Sequence, residues 1–356
     1  MKQQDPKEIF GRRLSQARRM RGMSLRAVAE AIGGKVSYNA LHRYECGEMM
    51  PGDDVLISVA DALDKPLDFF FRPFTMELSE LRFRKTTGLG AKSVDAIKEQ
   101  ATDFFERYCE IEQILAVHAS FKDPLWEIRY TAVEGAEDAA ARVREMWKLG
   151  QNPLPNVTET LEANGFKIFE VEAPENFKGF AGWVDNHPVI VLATWMNKDM
   201  PLKRFTMLHE AAHLLVAAHT DLDGKELESF CDRFAGAMLI PADVFTADFG
   251  GFRHRISLEE LIDLKRRYGM SIAAIMHRAH DLKLIGDSTY RQFCIIRNKK
   301  GWRRDEPGQY PGNEQSSRFE QLVLRATAEE QISFDKGAAL LNVPLVEFQQ
   351  TLCEFL

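Results

Sequence analysis

Residues 205–219 read FTMLHEAAHLLVAAH. Apolar Phe205, Leu208, Ala212, Leu215 and Val216 recur at three- and four-residue spacing, the period of a helix with one face turned to a core. Into that helix the chain sets His209, Glu210 and His213. Burying such groups without partners would cost several kcal/mol, roughly 2–7 for each neutral polar group. Two histidines four residues apart project from one face about one turn apart, so both imidazoles reach one metal ion. Glu210, rotated by about 100° from His209, leans over a water at the metal rather than binding the metal itself. This is the HExxH arrangement, in which the histidines hold zinc and the glutamate serves as general base. The chain has 356 residues with nine histidines and 53 acids, and chance would give about 0.03 such matches.

A catalytic zinc needs a third protein ligand and one open position. Downstream, GKELESFCDRFAGAMLIP (224–241) reads as a helix with Phe230, Phe234 and Met238 on its apolar side. Glu228 would complete the site, with Glu226 and Asp223 as competing choices. Asp232, one turn beyond Glu228, would accept a hydrogen bond from the remaining N–H of a ligating histidine and fix its tautomer. His219 lies beyond the helical face and reads as a surface residue.

Working outward, FKIFEVEA (166–173) and PVIVLAT (188–194) read as strands, with GFAGWVD (179–185) between them as a sheet edge that an extended peptide could join. Helices are expected over 204–218, 226–238 and 257–282, and upstream over 94–121 and 135–149. RPFTMELSELRFRKTTGLGAKS (72–93) reads as a linker. YRQFCIIRNKKGWRRDEPG (290–308) reads as a hairpin, with Trp302 among basic residues at a solvated tip. The last forty residues read as paired amphipathic helices that pack on the preceding domain or on another subunit. Four regions follow: 1–72, 73–135, 136–286 and 287–356.

Charge divides the chain unevenly. The total is −7, yet residues 1–45 hold ten Lys/Arg against four acids, a local +6 that leaves −13 for the remainder. A basic head on an acidic body points to nucleic-acid contact by the head. Five scattered cysteines without a CxxC pair argue against a disulfide framework and against a thiolate zinc site. No stretch is long and apolar enough for a transmembrane helix, and the N-terminus lacks a signal-peptide core, so a cytoplasmic location is expected.

The head can be cut into five short helices. Ser24 caps SLRAVAEAIG, Gly33 and Gly34 permit a tight turn, and a third helix follows at about 37–45. Such a helix–turn–helix places its third helix in a major groove. Here the chain resembles the XRE or Cro/C1-type family over about 65 residues, including YECGEMMP and VADALDKPLDFFF. The resemblance implies operator DNA as partner and a homodimer as the usual assembly. By position, Ser37, Tyr38, Asn39 and His42 would face the bases, while Arg43 and the arginines at 12, 13 and 18 would meet phosphate.

RFTMLHEAAHLLV and ESFCDRFAGAMLIP resemble the ImmA/IrrE metallopeptidases, with support from AARVREMWKLGQNPLPNVTETLEANGFKIF and LKRRYGMSIAAIMHRAHDLKLIG. The likeness spans about 136–286. It implies a zincin-like fold, a small sheet beside the motif helix, with the two motif histidines and Glu228 as ligands of Zn2+ and a repressor-like protein as substrate. Cys231-Asp232 stands where the family often has Ala-Asn, which bears on the residues behind the ligands. Tyr268, His277 and Arg278 are the choices for an oxyanion donor. The expected fold class is mainly α with α+β: an all-α helix–turn–helix bundle, the zincin-like domain, then a mostly helical C-terminal segment. The expected function is a DNA-binding regulator whose zinc endopeptidase domain cleaves a repressor or partner. The alternative is a non-enzymatic transcription factor or antitoxin-type regulator that uses the peptidase-like domain as a sensor. Glu210 favours the enzyme, because a pure metal sensor has no need of a general base.

Overall fold

The computed structural model describes residues 5–74, 90–117, 121–184, 186–216 and 218–353. In chain order the helices before the sheet are α1 (Pro6–Met20), α2 (Leu25–Ala31), α3 (Tyr38–Glu45), α4 (Asp53–Leu63), α5 (Ala91–Ile114), α6 (Ala136–Met146) and α7 (Val157–Ala163). Strands β1 (Lys167–Val171), β2 (Gly179–Val184) and β3 (His187–Ala193) follow. Then come α8 (Met200–Val216), α9 (Gly224–Leu239), α10 (Ala242–Phe249), α11 (Leu258–Tyr268), α12 (Ile272–Asp281), α13 (Asp287–Lys299), α14 (Arg318–Ala328), α15 (Phe334–Leu341) and α16 (Leu345–Cys353). The fold is thus mainly α with one small sheet, as the sequence implied. Contacts divide the chain into two compact units, one built from α1–α5 and α14–α16, the other from residues 119–316. Most of the linker expected over 72–93 lies outside the described residues.

In the first unit, Pro6 opens α1 behind the Asp5 cap, Ser24 caps α2, and Ser37 caps α3 through its hydroxyl. Gly33 and Gly34 turn the chain between α2 and α3 at φ near +70°, a region that only glycine enters freely. Phe10, Leu14, Val28, Leu41, Val59, Leu63 and Phe70 close one apolar core around these helices. Gly11 lets α1 approach α3: a Cβ there would lie 2.7 Å from the Glu45 carbonyl oxygen and nearer still to that of Tyr44. The C-terminal helices pack neither on the preceding domain nor on another subunit, as their apolar pattern had suggested. Instead α14–α16 close over Tyr108, Ile111 and Leu115, a stripe of α5 with helical spacing.

The second unit packs its helices around a sheet of order β1-β3-β2, with β1 parallel and β2 antiparallel to β3. The central strand β3 is buried from Pro188 through Ala193, consistent with its unbroken apolar run. Behind it α8 buries Met207, Leu208, Ala211, Ala212, Leu215 and Val216, and α9 buries Phe230, Phe234 and Met238. One helix was expected over 257–282, but Gly269 divides it: the residue ends α11 at φ +61°, and Ser271 caps α12.

The hairpin expected over 290–308 is also corrected. Residues 287–299 form α13, because Tyr290, Phe293, Cys294 and Arg297 share one face, with Phe293 buried and Gly301 closing the end at φ +73°. Trp302 packs against the core of this unit rather than standing at a solvated tip. The irregular chain that follows uses two glutamates as helix caps. Glu306 accepts from the backbone N–H groups of Ile272 and Ala273 at the start of α12, and Glu314 from those of Val157 and Thr158 at the start of α7. Glu314 is fully buried and forms an ion pair with fully buried Arg204 of α8. Beside it, buried Lys203 meets Glu170 at 2.7 Å.

Candidate metal centre

His209 and His213 lie on one face of α8, and α9 packs alongside with Glu228 opposite them. One ligand atom from each of the three falls within 4.8 Å of the other two. The two Nε2 atoms are 3.1 Å apart, and Glu228 oxygens lie 3.3 Å from His209 Nε2 and 3.6 Å from His213 Nε2. Among the described residues this is the group of histidine and acidic side chains arranged to hold a metal ion, and neither Glu226 nor Asp223 belongs to it.

Each imidazole is held from behind. His209 Nδ1 bonds Asp232 Oδ1 at 2.8 Å, and His213 Nδ1 lies 2.9 Å from Cys231 Sγ. These contacts leave both Nε2 atoms facing Glu228. Burial opposes a charge on His209, but the Asp232 hydrogen bond and the nearby carboxylates of Asp232, Glu210 and Glu228 outweigh it. The His209 pKa therefore lies above its ordinary value of 6.5. Three acceptor groups converging on one point call for a proton or a cation between them, and two imidazoles with a carboxylate are the donor set that suits zinc. Glu210 is half-buried on the next position of α8 and close enough to His209 to act on its charge.

Other expected residues fall elsewhere. His219 is not a surface residue: its side chain is largely buried and its Nε2 meets Asp123 at 2.7 Å. Of the three oxyanion choices, Tyr268 is buried and bonds Asp248. Arg278 is buried against Glu137 at 2.8 Å. His277 is exposed and is held by Asp281 at 3.3 Å. Its pKa is raised by the Asp281 hydrogen bond, against burial. Sequence reading missed the Arg204–Glu314 pair beneath α8, because 110 positions separate its partners and no local pattern links them.

On the head, Tyr38, Asn39, His42 and Arg43 stand on the exposed side of α3. Ser37 is exposed too, but its hydroxyl accepts from the Ala40 N–H as the helix cap. Arg43 also meets Glu48 at 2.9 Å. Two of the expected phosphate contacts are corrected. Arg13 is buried and pairs with Glu106 of α5 at 2.7 Å, and Arg18 grips both oxygens of Glu45 at 2.6 and 2.9 Å. Their charges serve the packing of the first unit, and Arg12 alone of the three remains exposed.

Residues 162–280 match the family model described as IrrE N-terminal-like domain, and residues 14–70 match that described as helix-turn-helix. No curated protein matches the chain. Among the described residues no helix is long and apolar enough to cross a membrane.

Proposed function

We propose, for a chain that joins an XRE-type helix–turn–helix domain to an ImmA/IrrE-type peptidase domain, that it is a cytoplasmic DNA-binding regulator which cleaves a repressor or partner protein with a zinc-dependent site. The observation that carries this reading is the convergence of His209, His213 and Glu228 to within 4.8 Å, beside Glu210. His209, His213 and Glu228 would hold the ion. When bound, zinc supplies Lewis acidity and brings the pKa of water to about 7. Asp232 keeps the Nδ1 proton of His209, so that its Nε2 lone pair is the one presented to the metal. Glu210 takes the proton of the attacking water and passes it to the leaving amine. The exposed face of α3, with Tyr38, Asn39 and His42, reads base edges, and Arg43 meets phosphate.

The test is metal content together with cleavage of the partner by purified full-length chain. Wild type should hold about one zinc per chain and cut; Glu210→Gln should keep its zinc and lose about 10²–10⁴-fold in rate. A Glu210→Gln chain with its regulatory effect intact would mean that binding, not hydrolysis, is the function.

A further inference from the structure

Beside the candidate metal centre lies a cavity of about 550 Å³, within the usual range for ligand pockets. Leu202 and Phe205 from the first half of α8 and Met270, Ala273 and Ala274 around the start of α12 give it apolar walls. Asp232, whose carboxylate holds His209, forms the wall nearest the metal ligands. Phe205 precedes His209 by four residues, so the apolar wall and the imidazole share one face of α8.

The charges around this cavity divide into engaged and free. Arg233 and His277 both meet Asp281, at 3.6 and 3.3 Å, and Arg278 meets Glu137. Lys178 and Arg297 also line it and have no ion pair among the described residues, and the buried Arg297 Nε has no hydrogen-bond partner there. The start of α12 attracts no further anion, since Glu306 and Ser271 already take its first N–H groups. Lys178 directly precedes β2, which pairs only with β3 among the described residues and leaves its other edge for an extended chain. Successive side chains of such a chain point to opposite faces.

We propose that this cavity is the specificity pocket of the peptidase site. It takes a bulky apolar side chain (leucine, methionine or phenylalanine) beside the scissile bond of an extended protein segment, with an acidic residue close by that meets Arg297 and Lys178. The inference rests on the peptidase reading, and binding separates the two. The probe is a set of fluorescent peptides that vary one position among Leu, Ala and Lys and a neighbouring one between Glu and Lys. They are titrated by anisotropy into full-length, zinc-loaded Glu210→Gln protein. Leucine should bind at least about 10-fold more tightly than alanine. Ala274→Trp, which fills the pocket, should erase that preference, and Arg297→Glu should invert the choice between Glu and Lys. Absent peptide binding, or preferences unmoved by both folded variants, overturns the pocket. Preferences that shift as expected, in a protein whose wild type leaves the same peptides uncut, uphold the pocket and remove the peptidase reading alone.

Discussion

Replacing Glu314 with alanine should destabilise the second unit more than any exposed change could. Its carboxylate and the Arg204 guanidinium are both fully buried, and the carboxylate also accepts from the N–H groups of Val157 at 2.8 Å and Thr158 at 2.9 Å. Removing one partner of a buried ion pair strands the other charge, at a cost of about 3–5 kcal/mol. The unit spans residues 119–316, a size at which each kcal/mol shifts the melting temperature by about 2–4 °C. Scanning calorimetry should therefore find its transition lowered by about 6–20 °C. Glu314→Gln should lose less, since its side-chain oxygen can still accept from the two amides. The double variant Arg204→Met/Glu314→Met should recover part of the loss, because no unpaired charge remains. Arg204 lies five residues before His209 on α8, so zinc retention should weaken alongside stability. A shift below about 2 °C for Glu314→Ala would refute the reasoning, as would a double variant no better than the single one.

Three further outcomes follow from the same geometry. Asp232→Ala removes the 2.8 Å bond behind His209 and should weaken zinc binding by about 10–100-fold in a chelator competition. The Asp232 side chain is 51% exposed, which favours the lower end, and an unchanged affinity would show that the bond does not orient the ligand. Acidification should act oppositely on the two forms of the protein. The raised pKa of His209 stabilises the metal-free fold below the unfolded value near 6.5, and that contribution is lost as pH rises through the folded value. Zinc needs the neutral imidazole, so the melting-temperature gain from zinc should shrink from pH 8 to pH 6, and a constant gain would contradict this. Gly11→Ala should destabilise the head by about 1–3 kcal/mol, because α1 must move away from the carbonyls of α3. Thermal melts would check it together with DNA affinity, and a variant with both unaltered would disprove the close approach.

Much of the site was open to view in the chain itself. The histidine spacing of α8 and the Glu228–Asp232 spacing of α9 are each a local helical period, so either side of the centre could be read from one short stretch. The strand runs at 166–173 and 188–194 were equally legible, since a buried central strand needs a continuous apolar run. Reading failed where helix and strand patterns coincide: FCIIR satisfies both, and packing of Phe293 chose the helix. It failed again with charge, where Arg13 and Arg18 look the same in sequence as solvated arginines but are taken up by Glu106 and Glu45.

By itself, then, the sequence determined the helical periods, the caps and turns of the head, and the residue types able to hold a divalent ion, all of which are set by neighbours within a few positions. Only the tertiary structure decided that α9 brings Glu228 rather than Glu226 or Asp223 to the histidines, that Cys231 and Asp232 stand behind separate rings, and that Glu314 reaches back to Arg204. Those contacts join residues 15 to 110 positions apart. Their partners are selected by how whole elements pack, and a local pattern carries no trace of that choice.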